Sequence, residues 1–350
     1  MIISRTPFRI SFFGGGTDYP VWFEANGGAV LATSIDKYCY ISCRYLPPFF
    51  DHKSRVVYSK IESAVETGDI EHPAVREGLR FMGIEEGLEI HHDGDLPARA
   101  GLGSSSSFTV GLLHTLYALK QRMPSKMELA QNAIHVEREM SREHVGCQDQ
   151  VTAASGGFNK ISFKKDGQII VQPVIADIDR LDILQKHMML FFTGFSRYAS
   201  AIAEKQVLET PKLTSELARM HEMVDEGLGI LAGSGDLGEF GKLLDESWRL
   251  KRSLTNRIST PQIDDVYEAA LNSGAIGGKL LGAGGGGFIL LFVRPELQDK
   301  VREKLHNLLH VPFKFENGGS QIIFYDQDTA KRDRDLIRDQ RARQGKLAMR

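Results

Sequence analysis

A glycine-rich turn that runs into consecutive serines is the part of this sequence best suited to chemistry. Apolar residues at helical spacing follow it from 108 to 119, so the serines lie at the start of a predicted helix. Unpaired backbone N–H groups and the positive end of the helix dipole face outward there, and glycine lets the backbone close on an anion. We therefore predict a phosphate-binding loop; the alternative is a Gly-Ser turn that only caps the helix. Its residues are Gly101, Leu102, Gly103, Ser104, Ser105 and Ser106.

A second glycine run, from Gly282 to Gly287, leads into the apolar segment Phe288 to Val293, which is typical of a strand. A dinucleotide-binding turn leads into a helix instead, so this run is not one. No Ser or Thr follows Lys279 at the spacing of a P-loop, and the Asp-Phe-Gly and His-Arg-Asp triplets of protein kinases are absent from the sequence.

The N-terminal segment from Arg5 to Tyr19 reads as a strand followed by a glycine turn. Residues alternate along the strand, so Arg9 lies on the opposite face from its apolar neighbours. Beyond the turn, Thr17, Asp18 and Tyr19 offer an acid and hydroxyls to a polar ligand. The alternative is an ordinary turn in which Asp18 caps a helix.

A helix is predicted from about Lys126 to Glu143, because Ser125 and Glu128 have the spacing of a capping box. Glu137 lies within the apolar stripe of that helix, whereas Arg138 turns toward solvent. A buried carboxylate costs several kcal/mol unless it meets a cation. Either a buried arginine or a divalent metal would serve.

Asp149 follows among small residues and before a glycine pair. It could cap a short helix. Beside a phosphate loop and Glu137, it becomes a candidate catalytic carboxylate.

Length and charge limit the remaining possibilities. With 350 residues, the chain is expected to form two domains. A net charge of -2 argues against nucleic-acid binding. Apolar runs are far shorter than the ~20 residues that span a bilayer, and the N-terminus does not resemble a signal peptide. We expect no membrane association, a cytoplasmic location, and a monomer or homodimer.

The strand and helix pattern restarts after residue 185. We predict an α+β protein with an N-terminal domain over 1–185 and a C-terminal domain over 186–350. The second domain would carry the glycine-rich loop and a tail whose outer end is frayed.

Three motifs in this order resemble those of the GHMP kinase superfamily. Its Pro-x-x-x-Gly-Leu-Gly-Ser-Ser signature is matched by Pro97 to Ser105, its N-terminal motif by Arg5 to Tyr19, and its C-terminal glycine motif by Lys279 to Gly287. The resemblance implies a first domain like ribosomal protein S5 domain 2 and a second that is a ferredoxin-like sandwich. It also implies ATP and Mg²⁺ as cofactors.

By position, the resemblance implies that Ser105 and Glu137 ligate Mg²⁺ and that residues 101–106 hold the ATP phosphates. Asp149 would act at the substrate hydroxyl, with Arg9 beside it. Substrate contacts would come from Thr17, Asp18 and Tyr19, and from Gly282, Ala283, Gly284 and Gly285.

The acceptor is expected to be a small sugar phosphate. Gly15 and Gly16 stand where galactokinases carry Glu and His, which argues against galactose. The N-terminal and C-terminal glycine motifs are similar to those of D-glycero-D-manno-heptose 7-phosphate kinases and, more loosely, of L-fucokinases. Arg197, Lys251 or Arg252 could bind the second phosphate. A mevalonate-type or homoserine-type kinase and a non-catalytic sugar sensor remain alternatives.

Overall fold

Two β-sheets organise the protein. The computed structural model describes residues 1–47, 49–194, 213–255, 258–326, 332, 335–340 and 343. Within these ranges, no helix combines the length and apolar character needed to cross a membrane.

The first sheet has nine strands, and its main path runs β13-β1-β2-β5-β3-β4. β6 and β12 also pair with β2, β7 pairs with β6, and only the β3–β5 pairing is parallel. The strands are β1 (Ile2–Phe13), β2 (Gly28–Tyr45), β3 (Ser54–Val57), β4 (Ile61–Ala64), β5 (Leu88–Gly94), β6 (Phe158–Phe163), β7 (Ile169–Pro173), β12 (Phe315–Glu316) and β13 (Gln321–Tyr325).

Helices of the N-terminal part pack against this sheet. α3 is almost wholly buried and lies against β1 and β2, with Thr109, Val110 and Leu113 inaccessible to solvent. It begins at Ser104, where the sequence predicts it. The helices are α1 (Pro20–Asn26), α2 (Pro73–Met82), α3 (Ser104–Leu119), α4 (Lys126–His135), α5 (Gln148–Ser155) and α6 (Ile178–His187).

The prediction of one continuous helix to Glu143 is wrong. Ser125 does cap α4, accepting from the backbone N–H of Glu128, but the α-helix ends at His135 and a π-helical turn follows over Val136–Met140. A π turn carries an extra residue and changes the direction of the side chains after it, which apolar periodicity does not reveal.

The second sheet has four strands in the order β11-β8-β10-β9, all antiparallel. The helix α8 (Gly238–Leu254) packs closely on the strand β9 (Ala275–Leu280). A Cβ added at Gly277 would stand only 2.0 Å from the carbonyl oxygen of Gly241. Its elements are β8 (Met188–Phe192), α7 (Thr214–Ala232), α8 (Gly238–Leu254), α9 (Pro261–Asn272), β9 (Ala275–Leu280), β10 (Phe288–Val293), α10 (Gln298–Lys304) and β11 (Leu309–His310).

The segment predicted as the second domain, 186–350, contributes to both sheets. β8 begins at Met188 in the second sheet, whereas the last strands return to the first sheet: β13 pairs with β1, and Phe315 of β12 pairs with Ile35 of β2. The free edge of β1 accepts β13, which satisfies backbone groups that would otherwise stay unpaired. Residues 335–340 are helical, and the outer tail 344–350 lies outside the described residues.

Candidate active site

Arg9 and Asp149 form a two-pronged ion pair between the strand β1 and the first turn of α5. Arg9 Nε donates to Asp149 Oδ1 at 2.8 Å, and Nη2 donates to Oδ2 at 2.7 Å. The arginine side chain is 5% exposed and the aspartate side chain 25% exposed. The carboxylate is therefore oriented by a buried guanidinium yet remains open to a ligand.

The phosphate loop lies directly against this pair. Arg9 Nη1 donates to the carbonyl oxygen of Gly101 at 2.7 Å, and the Arg9 backbone N–H donates to that of Leu102 at 3.0 Å. A Cβ at Gly103 would lie 3.1 Å from Arg9 Cγ and 3.4 Å from Asp149 Oδ2, and Gly103 has a φ of 75°. The left-handed backbone favours glycine there.

The serines at the start of α3 differ in their hydrogen bonds and in their exposure. Ser104 Oγ accepts from the backbone N–H of Arg99 at 2.9 Å, and Ser107 Oγ donates to the carbonyl oxygen of Pro7 at 2.9 Å. Ser106 is buried and Ser105 is exposed. The hydroxyl presented to solvent at the helix start is thus that of Ser105.

Glu137 sits in the π-helical turn and is 1% exposed. Its Oε2 accepts from Ser106 Oγ at 2.9 Å and from the Gln150 side-chain amide. The α3 serine that contacts Glu137 directly is Ser106, whose hydroxyl faces inward, and shared binding of Mg²⁺ by Ser105 and Glu137 stays a prediction. Burial raises the pKa of Glu137 to about 7.

The other carboxylate oxygen of Glu137, Oε1, is buried and has no hydrogen-bond partner within 3.5 Å among the described residues. The Thr109 hydroxyl, followed by the Gln150 amide, lowers the pKa of Glu137 against the larger effect of burial. No arginine or lysine of the described part offsets its charge, so the interpretation of a buried arginine partner is not supported. A partnerless carboxylate oxygen next to a serine-rich helix start fits Mg²⁺, which takes one or two protein oxygens and completes its shell with phosphates and water. No cluster of three or more His, Cys, Asp or Glu suited to a metal occurs in the described ranges.

The three residues predicted to contact substrate through side chains, Thr17, Asp18 and Tyr19, have different surroundings in the structure. Thr17 is fully buried and its hydroxyl donates to the carbonyl oxygens of Gly14 and Ala29, each at 2.8 Å. This hydroxyl fixes the turn, and the buried side chain offers no exposed surface to a substrate. Tyr19, which precedes α1, is half-buried, and its pKa is raised by burial and by nearby Asp18.

Asp18 lies beside the start of α5, the helix that carries Asp149. Its carboxylate accepts from the backbone N–H groups of Gly16 at 3.0 Å and Gln148 at 3.2 Å, and it is 1% exposed. Burial, followed by the charge of Asp149, raises its pKa. Asp18 therefore helps to hold the start of α5, the helix that presents Asp149.

The glycine-rich loop of the second sheet packs on the phosphate loop. A Cβ at Gly282 would lie 2.4 Å from Gly101 Cα, so the two backbones touch. Gly284 and Gly285 are buried, and the Gly285 N–H donates to the carbonyl oxygen of Ile258 at 2.9 Å. Gly284 and Gly285 thus pack the loop, while Gly282 and Ala283 stay partly exposed, and substrate binding by this loop stays a prediction.

Among the candidates for a second-phosphate site, Arg197 lies outside the described residues. Arg252 is engaged, with Nη1 donating to Asp264 Oδ1 at 2.8 Å and its guanidinium 5.9 Å from the Trp248 ring centroid. Lys251 is buried, and its Nζ donates to the carbonyl oxygens of Leu280, at 3.2 Å, and Gly282.

Sequence reasoning missed four polar residues that frame the site. Gln150 is fully buried and bonds Glu137, and Lys279 Nζ donates to the carbonyl oxygen of Phe12 at 2.6 Å. Ser11 Oγ and Gln148 Oε1 are buried without a hydrogen-bond partner in the described structure. Polarity within a mostly apolar strand was an available signal for Ser11 and Lys279, whereas α5 is itself largely polar and gave no such signal for Gln148 and Gln150.

Comparison with known proteins agrees with this geometry. Two domain families match the chain: "GHMP kinases N terminal domain" over residues 70–157 and "GHMP kinases C terminal" over residues 229–310. The chain is 28% identical to D-glycero-alpha-D-manno-heptose 7-phosphate kinase of Campylobacter jejuni, over 84% of this chain and 90% of that protein. It is 25% identical to the Arabidopsis thaliana bifunctional fucokinase/GDP-fucose pyrophosphorylase, over 85% of this chain but 30% of that protein.

A solved structure shows the same fold. The crystal structure of a D-glycero-D-manno-heptose 1-phosphate kinase from Bacteroides thetaiotaomicron superposes with a TM-score of 0.70, at 24% identity, over 93% of this chain and all of that one. Both family domains are thus present in the expected order: the phosphate loop, Glu137 and Asp149 lie within the first, and the glycine-rich loop of the second packs on the phosphate loop. This chain belongs to the GHMP kinases, ATP-dependent enzymes with a two-domain fold of mixed helices and largely antiparallel sheets.

Proposed function

We propose that this kinase transfers the γ-phosphoryl group of ATP to the anomeric hydroxyl of D-glycero-D-manno-heptose 7-phosphate. The product would be heptose 1,7-bisphosphate, a precursor of nucleotide-activated heptose for cell-surface polysaccharide. The observation that carries the proposal is the Arg9–Asp149 pair pressed against Gly101 and Gly103, because it places an oriented carboxylate at the phosphate loop. The similarity to the Campylobacter jejuni enzyme supports the choice of acceptor.

Phosphoryl transfer depends on alignment and charge stabilisation more than on covalent chemistry. Backbone N–H groups at the start of α3 bind phosphate oxygens, helped by the helix dipole. Asp149 accepts a hydrogen bond from the anomeric hydroxyl and takes its proton as transfer proceeds. Arg9 holds the carboxylate in place and stabilises negative charge that develops at the transferred group.

Glu137, together with a serine hydroxyl at the start of α3, would hold Mg²⁺. The ion would supply charge neutralisation between the β- and γ-phosphates. In this arrangement Ser106 and Gln150 orient Glu137 through its Oε2, which leaves Oε1 for the metal.

A polyol acceptor is favoured by the partnerless polar atoms near Gly15. A Cβ added at Gly15 would meet only Ser11 Oγ and Gln148 Nε2, each at 3.8 Å. Ser11 Oγ and Gln148 Oε1 are buried without partners in the described ranges, and buried polar atoms are normally hydrogen-bonded. Sugar hydroxyls would satisfy both, whereas the methyl group of mevalonate would not.

A panel of acceptors tests the proposal: heptose 7-phosphate, L-fucose, galactose and mevalonate, with ADP release as the rate and phosphorus NMR to locate the new ester. We expect heptose 7-phosphate to give the highest kcat/KM and a product with phosphate on the anomeric carbon. Preference for fucose would instead support a fucokinase-like enzyme. No turnover of any acceptor, with sugar and ATP both bound, would indicate a sensor.

A further inference from the structure

Basic side chains are buried together where the glycine-rich loop meets the phosphate loop. Arg9 is 4% exposed, Lys251 8% and Lys279 3%. Arg9 comes from the first sheet, whereas Lys251 of α8 and Lys279 of β9 come from the second. We call these three residues the cation cluster.

The partners of the cluster neutralise Arg9 but not the two lysines. Both oxygens of Asp149 are already bonded to Arg9. Lys279 Nζ donates to a backbone carbonyl, that of Phe12, and Lys251 Nζ donates to two, those of Leu280 and Gly282. Carbonyl oxygens satisfy donors but do not neutralise an ammonium, and an ammonium has three donors.

The charged groups that face Lys251 are Arg9, Asp149 and Lys279, with Asp18 beyond Asp149. Burial, followed by repulsion from Arg9, lowers the pKa of Lys251 to about 7, while Asp149 raises it. The pKa of Lys279 is lowered by burial, Lys251 and Arg9. Unneutralised buried charge is costly, so this region is electrostatically prepared for an anion.

Lys251 also connects the glycine-rich loop to the phosphate loop. Lys251 Nζ holds Gly282, Gly282 packs on Gly101, and the Gly101 carbonyl oxygen accepts from Arg9. A single ammonium on α8 thereby connects the second sheet to the Arg9–Asp149 pair.

We propose that Lys251 is a positioning residue for phosphoryl transfer, which fixes the glycine-rich loop against the phosphate loop and whose charge is completed by an entering phosphate group. The proposal rests on the proposed kinase function. The phosphate could belong to the nucleotide or to the sugar, and the experiment separates the two sources.

Lys251→Met removes the charge at similar side-chain volume, and Lys251→Arg retains it. Lys242→Met is the matched control, because Lys242 lies on the same helix, is exposed and pairs only with Glu239 in the described structure. We expect Lys251→Met to lower kcat on the order of 10²-fold, with KM for the sugar changed much less, and Lys251→Arg to recover most of the loss. The control should match the wild type.

A purely structural role would not change proton uptake on binding. At pH 8 the wild type should take up part of a proton when phosphate binds, since an anion raises the lysine pKa. Calorimetry in two buffers of different ionisation enthalpy measures this uptake for ADP alone, heptose 7-phosphate alone and unphosphorylated heptose. We expect uptake with the ligand that supplies the phosphate, none with unphosphorylated heptose, and a loss of uptake in Lys251→Met.

Unchanged kcat in Lys251→Met, or equal proton uptake in Lys251→Met and wild type, would overturn the proposal. A fall in kcat that Lys251→Arg does not restore, together with a lower Tm, would also overturn it in favour of simple packing. If no sugar is phosphorylated by the wild type, the proposed function fails, yet the ADP measurements still decide the role of Lys251.

Discussion

The substitution Glu137→Gln measures how much stability the fold loses by burying an ionised carboxylate at the proposed metal site. In the metal-free protein, Glu137 is 1% exposed, and its Oε1 is without a partner in the described structure. Glutamine has the same shape and no charge. We expect Glu137→Gln to be more stable than the wild type at high pH and to be inactive.

The direction in which stability changes with pH follows from the raised pKa of Glu137. Burial raises the pKa of Glu137 from 4.5 to about 7, so the folded state holds the proton more tightly than the unfolded state. Wild-type stability therefore falls as pH rises from about 4.5 to about 7, and it levels off above that range. Each pKa unit corresponds to about 1.4 kcal/mol, so between pH 5 and pH 8.5 the variant should gain roughly 2–3 kcal/mol relative to the wild type. For a chain of this length that is roughly 3–4 °C in Tm.

Thermal unfolding of both proteins at pH 5, 7 and 8.5, without metal, gives the difference directly. Glu77→Gln is the control, since Glu77 is also buried but is paired with Arg76 and Arg80. It should be destabilised at all three pH values. Adding Mg²⁺ with ADP should then raise the Tm of the wild type more than that of Glu137→Gln.

A difference between wild type and Glu137→Gln that stays constant with pH would refute the reasoning, because it would mean that Glu137 keeps its ordinary pKa in the fold. Full activity of Glu137→Gln would remove this residue from the metal site. The two results are independent, so each part of the interpretation can fail alone.

Asp149→Asn should lower kcat by at least 10³-fold, on the order expected for loss of the acid–base group, with the Kd for ADP nearly unchanged by calorimetry. Gly101→Ala should destabilise the protein and raise KM for ATP, because its Cβ would lie 2.4 Å from the carbonyl oxygen of Leu281 and its φ is 88°; Gly229→Ala, where the Cβ meets nothing within 4 Å, is the control for both measurements. Thr17→Val should cost about 1–3 kcal/mol in urea unfolding and leave the sugar KM unchanged, since its hydroxyl bonds only backbone in the described structure.

The strand and helix pattern of the first domain is local and could be predicted. The start of α3 at Ser104 follows from glycine, serine and apolar periodicity in neighbouring residues, and so does the cap of α4 at Ser125. The return of β12 and β13 to the first sheet could not be predicted, because strand pairing across 280 residues or more leaves no trace in local periodicity.

The sequence by itself determined the chemistry available: a glycine–serine loop for phosphate, an acid inside an apolar helix stripe at Glu137, and an acid at Asp149 among small residues. These are properties of residue type and spacing, which need no fold to be read. The tertiary structure decided which groups these side chains contact. It set Ser106 rather than Ser105 against Glu137, committed Thr17 to its own turn, and buried Lys251 between the loops. Such choices depend on contacts between distant segments, because only packing determines which side of a turn or helix is left without water.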